Sequence, residues 1–339
     1  MTSSTPPELT LDLIRSAAAG LAGVAHHTPT VRSRTLDAQV SAEVLVKCES
    51  FQRGGSFKFR GAYTYVAAHL DEVRQRGVCT VSSGNHAQAV AITARNLGLR
   101  CAVLMPHDAP AAKLEATRSY GAQVEQYDRF SMPQAQAGAA FAERTGLTMV
   151  PAYNHPLIAA GAGTAVLEVA GQSSAVDVLL APIGGGGLIS GCGTAVKALS
   201  PTATVIGVEA AASAVTQRSL RAGQRVEIEL TPHLADGQML TTPGSWTFGI
   251  MQRVVDDVVL VTDDEIRAAM RFLFDRMKLV VEPSGAAACA ALLAGKVDVA
   301  GQRVAVIVSG GNIGVDRFGD LMTEEASAAV RGVPRPHLR

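Results

Sequence analysis

Short β-branched runs alternate with longer helical patterns through most of this chain, and that alternation limits the fold more than any single residue does. Val78 to Ser82 reads as a buried strand, followed after Gly84 by a helix over Asn85 to Leu97. Cys101 to Met105 repeats the strand and Lys113 to Tyr120 the helix; Gln123 to Tyr127 is a third strand, with a helix on to about Arg144. A second series begins at the strand Asp177 to Pro182 and the helix Leu188 to Leu199. It continues through the strand Thr204 to Val208, helices over Asp264 to Arg276 and Gly285 to Leu293, and the strand Val304 to Ser309. Strands joined by helical crossovers pair in parallel. Two such series predict an α/β fold of two open sheets with a cleft between them. With 339 residues, 47% of them hydrophobic, the chain can bury both cores.

Thirty basic against thirty acidic residues leave no net field to draw the chain to nucleic acid or an anionic membrane, so small-molecule chemistry is expected. Met1 to Leu9 lacks a basic stretch followed by an apolar run, and no apolar segment is long enough to cross a bilayer. A cytoplasmic enzyme fits these features. Cys48, Cys79, Cys101, Cys192 and Cys289 are odd in number and scattered, and read as buried small apolar residues, neither a disulfide framework nor a zinc site. The tail from Ala326, with Pro334 and Pro336, reads as weakly ordered.

Four turns carry the chemistry. In Gly55-Ser56-Phe57-Lys58-Phe59-Arg60-Gly61-Ala62, one lysine sits between small residues and aromatic rings. Desolvation, or a neighbouring cation such as Arg60, would bring its pKa down toward the range where a neutral amine attacks a carbonyl. Gly184-Gly185-Gly186-Gly187 follows an apolar strand and precedes a helix, so bare backbone N–H groups can converge on an anion at the helix N-terminus. A tight turn needs only one or two glycines; four favour a phosphate. Glu209, at the end of the next strand, is placed like a ribose-binding acid, but the dinucleotide fingerprint fails because Ile189 or Ser190 stands where its third glycine belongs. A monophosphate remains. Ser82-Ser83-Gly84-Asn85-His86 gathers hydroxyls, an amide and helix N-terminal N–H groups suited to a carboxylate, although Ser and Asn also serve as plain helix caps. Ser309-Gly310-Gly311-Asn312 closes another apolar strand, at the end where open α/β sheets bind ligands.

These motifs, with Glu282-Pro283, Ala235-Asp236-Gly237 and the Val254 to Asp257 stretch, resemble the pyridoxal-phosphate enzymes of fold type II, in particular the threonine dehydratase and serine racemase group. The similarity runs collinearly from about residue 10 to 320. It implies a tryptophan synthase β-like architecture of two αβα domains with pyridoxal 5'-phosphate in the cleft. Residues 1–66 and 154–325 would form a large cofactor-binding domain, 67–153 a small mobile one, and 326–339 the tail. By the same resemblance, Lys58 bonds the cofactor covalently, Gly184 to Gly187 hold its phosphate, Asn85 faces its 3-oxygen and Ser309 its ring nitrogen. Phe57, Glu282 and Gly310 complete the cofactor contacts. Ser82, Ser83, Asn85, His86 and Asp236 would line the substrate site, with no metal among the site residues.

The implied reaction is β-elimination from a 3-hydroxy amino acid such as L-threonine or L-serine, giving a 2-keto acid and ammonia, with Lys58 as the base at Cα. A serine at the ring nitrogen cannot protonate it as a carboxylic acid would, which favours loss of the hydroxyl. Ser83 leaves two readings open: a proton donor from the opposite face, as in a serine or hydroxyaspartate racemase, or a helix cap. A non-catalytic phosphate-binding regulator is the reading from another class. Relative to the racemases, Val215 stands where an aspartate ligand would join Glu209 and Ser213, so weak or absent activation by Mg²⁺ or Ca²⁺ is expected. The chain is expected to lack the regulatory domain of biosynthetic threonine dehydratases, and with it feedback by isoleucine. Met239, Thr241, Thr242, Ser245 and Trp246 are candidate substrate contacts, and a homodimer is expected.

Overall fold

The structure, a computed structural model, describes residues 7–173 and 175–323; the tail expected from Ala326 lies outside them. Among the described residues, ten strands form two sheets. The first is ordered β1 (Thr30–Val31), β2 (Glu43–Cys48), β10 (Arg303–Val308), β7 (Val178–Pro182), β8 (Thr204–Ala210), β9 (Asp257–Val261). The second is ordered β5 (Gln123–Tyr127), β4 (Cys101–Pro106), β3 (Val78–Val81), β6 (Thr148–Met149). All neighbours are parallel except β1, which pairs antiparallel with β2. The two predicted series therefore fold into two separate open sheets.

Alternation along the strands explains why each sheet is covered on both faces. Val44, Val46, Val178, Leu180, Ile206, Val208, Val304 and Val306 share one core with the helices Asp263–Met277 and Pro283–Leu293. Their strand neighbours Leu45, Leu179, Ala181, Val205, Ala305 and Ile307 enter another core with the helices Pro156–Gln172 and Gly187–Leu199. In the four-stranded sheet Val78, Cys101, Val103 and Met105 face one side, and Cys79, Val81, Ala102 and Leu104 the other. Each fully buried Val, Leu or Ile contributes about 1.5–3 kcal/mol, and burial on both faces is why these parallel strands read as continuous apolar runs. All five cysteines are free and buried.

Predicted boundaries lie within two or three residues of the observed ones. The helix expected from Asp264 begins at Asp263 because Thr262 caps it reciprocally: Glu265 N–H donates to Thr262 Oγ1 (3.2 Å) and Thr262 N–H to Glu265 Oε2 (2.8 Å). The helix Pro156–Gln172 was not anticipated. Eleven of its seventeen residues are buried, and it has no polar face to set a period. It lies where backbones touch: a Cβ on Gly191 would stand 1.9 Å from Ala159 O, and one on Gly161 would stand 2.5 Å from Arg60 O. Among the described residues, no helix is long and apolar enough to cross a membrane.

Candidate active site

The four turns meet where the C-terminal ends of both sheets converge. Gly54 and Gly55 have φ of +68° and +70°, a left-handed pair that swings the chain from β2 toward the loop after β10. Ser56 bridges Gly310, Phe57 N–H donates to Ser309 O (3.1 Å), and Gly311 N–H to Gly55 O (2.9 Å). Lys58 then starts the helix Lys58–Ala68, its amine 5.1 Å from the Phe57 ring centroid and donating to Ala152 O at 2.8 Å. Part of the side chain still reaches the cleft, yet desolvation of the amine brings its pKa down to about 8.

Arg60 does not take part in that shift. Its guanidinium is buried and bonds Glu49 at 2.7 and 2.8 Å and Glu168 at 2.6 and 2.9 Å. Lys47 Nζ adds a 2.5 Å bond to Glu168. Two acids match two bases beneath the lysine helix, and burial alone lowers the Lys58 pKa.

Residues 152–154 connect the amine to the glycine loop. A Cβ on Gly185 would fall 2.2 Å from the Tyr153 ring, one on Gly184 would fall 2.6 Å from Gly237 O, and Gly186 has φ +90°. Thr247 Oγ1 donates to Gly185 O (2.6 Å), and Asn154 holds the next helix through Trp246 N–H (2.8 Å) and Ser245 Oγ (3.0 Å). The loop runs into the helix Gly187–Leu199, whose first-turn N–H groups have no intrahelical acceptor. Tyr153, Asn154 and Thr247 carry no motif in sequence; only their place against the glycines reveals them.

On the opposite wall, Ser82 Oγ accepts from Gly84 N–H (3.2 Å), and Ser82 and Ser83 are half-buried. Asn85 donates a short hydrogen bond to Glu282 Oε1 and accepts one from Asn312 Nδ2 (2.9 Å). Gly310 lies among these groups, for a Cβ there would meet Glu282 Oε1 at 2.4 Å and Asn85 Nδ2 at 3.3 Å. His86 is turned into the four-stranded unit, its Nε2 3.2 Å from Val150 O, and burial followed by the Lys58 charge pushes its pKa down to about 3. Its main-chain N–H is therefore the group it can offer an anion in the cleft. Asp236 pairs with Lys113 at 2.7 Å and Glu282 with Lys113 at 2.9 Å. Lys113 was missed in the sequence because a lone lysine in a polar helix reads as a solvated charge.

Trp246 packs against the core beside the glycine-loop helix, Ser245 is bonded to Asn154, and Thr242 Oγ1 accepts from Arg225 (3.4 Å). Glu209 does not face a ribose site. Its two oxygens accept Thr216 N–H (2.8 Å) and Gln217 N–H (2.9 Å) at the start of the helix Val215–Ala222, and burial, opposed by these bonds, lifts its pKa to about 7.

Pyridoxal phosphate needs an amine that can be neutral near physiological pH and a cradle of bare backbone for its phosphate. Lys58 supplies the first, and the loop where a Cβ on Gly184, Gly185 or Gly186 would collide supplies the second. The residues present fit the group. Fold and cleft together define the class: pyridoxal-phosphate enzymes of fold type II. The chain belongs to the pyridoxal-phosphate dependent enzyme family, whose model matches residues 22–310. It is 44% identical over 311 residues to an L-threo-3-hydroxyaspartate ammonia-lyase of Pseudomonas sp, covering 92% of this chain and 97% of that one. An L-threonine ammonia-lyase of Thermotoga maritima is 40% identical, over 91% of this chain and 77% of its own length. Maize serine racemase superposes with a TM-score of 0.87 at 34% identity, over 92% of this chain and 96% of its own.

Proposed function

We propose that this enzyme removes water from a 3-hydroxy amino acid, and that the released enamine takes water up again to give a 2-keto acid and ammonia. The observation that carries the reading is the Lys58 amine, buried to a pKa of about 8 and held within one residue of the Tyr153 ring that lines the glycine loop. Bound pyridoxal phosphate supplies an electron sink that makes the substrate Cα–H acidic. Lys58, neutral in an appreciable fraction near pH 7 to 8, takes that proton. The Ser82 to Asn85 turn orients the substrate carboxylate with hydroxyl, amide and N–H donors. The glycine loop and the helix start at Gly187 hold the phosphate. Ser309, a neutral hydroxyl just after β10, would hold the ring nitrogen.

The family's mixture of lyases and a racemase supports a second reading, partial inversion at Cα, with Ser83 as the proton donor on the face opposite Lys58. The unit 67–153 is read as the small mobile domain beside a large one of 1–66 and 154–325. Five free cysteines support a reducing, cytoplasmic setting. A homodimer is supported by Phe51, Val280 and Val315, which stay 51%, 48% and 82% exposed, apolar surface that a second copy would cover.

The test is to incubate cofactor-loaded protein with L-serine, L-threonine and L-threo-3-hydroxyaspartate. Keto acid and ammonia in equal amounts are expected, and Lys58→Ala should lower the rate by about 10²–10⁴-fold. Loaded protein that releases neither product from any of the three sinks the reading, and D-serine formed from L-serine reveals the second activity.

A further inference from the structure

Lys113 lies in the first turn of the helix Ala111–Ser119, in the four-stranded unit, yet both its partners belong to the other unit. Its side chain is 7% exposed. The ammonium stands 2.7 Å from Asp236 Oδ2 and 2.9 Å from Glu282 Oε2. Asp236 opens the short turn Asp236–Gln238, and Gly237 N–H donates to Ser284 Oγ (2.9 Å). The carbonyl of Gly237 is the group that a Cβ on Gly184 would strike, so this turn roofs the glycine loop. Glu282 holds Asn85, and Asn85 holds Asn312, which donates on to Gly54 O (2.6 Å). One ammonium thus reaches the carboxylate turn, the glycine loop and the approach to Lys58.

The stem of the lysine explains a residue inside the Ser-Ser-Gly-Asn-His motif. A Cβ on Gly84 would lie 2.4 Å from Lys113 Cδ, so the buried stem leaves no room for a side chain at that position of the turn. The side chain passes directly over the turn whose donors face the substrate carboxylate. Burial disfavours the ammonium, but Glu282 and Asp236 outweigh burial and raise its pKa, so it stays charged across the working pH range. Without it two acids would face each other in the closed cleft with no cation between them.

We propose that Lys113 is a positioning residue, an electrostatic latch that draws the four-stranded unit over the cleft and sets the Ser82 to Asn85 turn against the bound amino acid. The inference rests on the reaction proposed above. The Lys113 ammonium is engaged by Asp236 and Glu282, so its loss acts by lowering the closed fraction, which weakens apparent binding by that same fraction. Saturating substrate pulls the cleft shut again.

The experiment compares holoenzyme of the wild type, Lys113→Met, Lys113→Arg and Asp236→Asn by steady-state kinetics and amide hydrogen exchange. In Lys113→Met, KM rises about tenfold, kcat falls by much less, and exchange quickens at Ser82 to Gln88 and Asp236 to Met239 while β7 and β10 keep their protection. Lys113→Arg, which retains the charge, recovers part of the KM. Asp236→Asn quickens exchange at Ser82 to Gln88 on the opposite wall, an effect that loss of a substrate contact alone cannot produce, and it decides the matter if Lys113→Met does not fold. A KM within twofold of wild type, exchange that quickens equally in β7 and β10, or unchanged exchange across the cleft in Asp236→Asn overturns the proposal. Exchange of substrate-free holoenzyme needs no turnover, so the latch stands or falls separately from the reaction.

Discussion

The floor and the mouth of the cleft are built in opposite ways. At the floor, the helix Lys58–Ala68 meets Pro156–Gln172 with backbones in contact: a Cβ on Gly61 would lie 2.6 Å from Ile158 O. Phe59, Ala62 and Val66 of the same helix share a core with Val78, Val90 and Val103 of the four-stranded unit. Beneath them Lys47, Arg60, Glu49 and Glu168 form a largely buried charge cluster. At the mouth, the walls are tied by polar side chains: Asn85 to Glu282, Asn312 to Asn85, and Lys113 to two acids. Close-packed backbone and apolar contacts resist displacement, whereas side-chain hydrogen bonds can be exchanged for water at small net cost. The contrast supports a pivot at the floor and a gate at the mouth.

The largest effect should come from breaking the floor. Arg60→Met leaves Glu49 and Glu168 with Lys47 as their single cation, and truncating one partner of a buried pair costs about 3–5 kcal/mol. Urea unfolding of the loaded enzyme should show a loss of that size. A change below about 1 kcal/mol, the scale of exposed pairs such as Arg144–Glu125, would mean the floor is no firmer than the surface.

The same contrast explains what could be read from sequence. Strands β3, β4, β5, β7, β8 and β10 were legible because each is a short apolar run beside a clear turn. β1 and β6 have two residues each, too few to show a period, and β2 hides behind Lys47, a charge inside a buried strand. The floor was illegible as packing: the small residues of Pro156–Gln172 give no amphipathic signal, although they are what permits close approach. The turns at the mouth were legible because consecutive glycines, or Ser-Gly-Asn at a strand end, are costly without a ligand to justify them. The ties between turns were not, since nothing in the sequence relates Lys113 to Asp236 and Glu282, 123 and 169 positions away. Arg60 was legible as a cation near Lys58 but not in its role, which depends on acids contributed from residues 49 and 168.

A smaller effect is expected where floor and mouth join, at the Lys58 amine. Only the neutral amine bonds an aldehyde, so the rate at which apoprotein captures pyridoxal phosphate should climb about tenfold per pH unit below the amine's pKa and level off above it. With burial holding that pKa at about 8, the break comes near pH 8, whereas free lysine keeps accelerating toward pH ~10.4. Stopped-flow absorbance of the two reactions, recorded side by side, locates both breaks. Coincident breaks would show that the cleft leaves the amine as wet as bulk water.

The smallest change should follow from loosening one tie at the mouth. Asn312→Ala removes the donors to Gly54 O and Asn85 Oδ1, and at about 0.5–1.5 kcal/mol each the loss is about 1–3 kcal/mol, below that of Arg60→Met. The two substitutions should also differ in kind. Losing Arg60 strands the fully buried Glu49, so it lowers global stability and speeds exchange throughout the core. Losing Asn312 frees groups that water can solvate once the cleft gapes, so most of its cost is met by local opening, and faster exchange should be confined to Gly54 to Ser56 and Ser82 to Gln88. If hydrogen exchange spreads from Asn312→Ala into β7 and β10 as it does from Arg60→Met, the mouth is part of the same cooperative unit as the floor, and the gate is no gate.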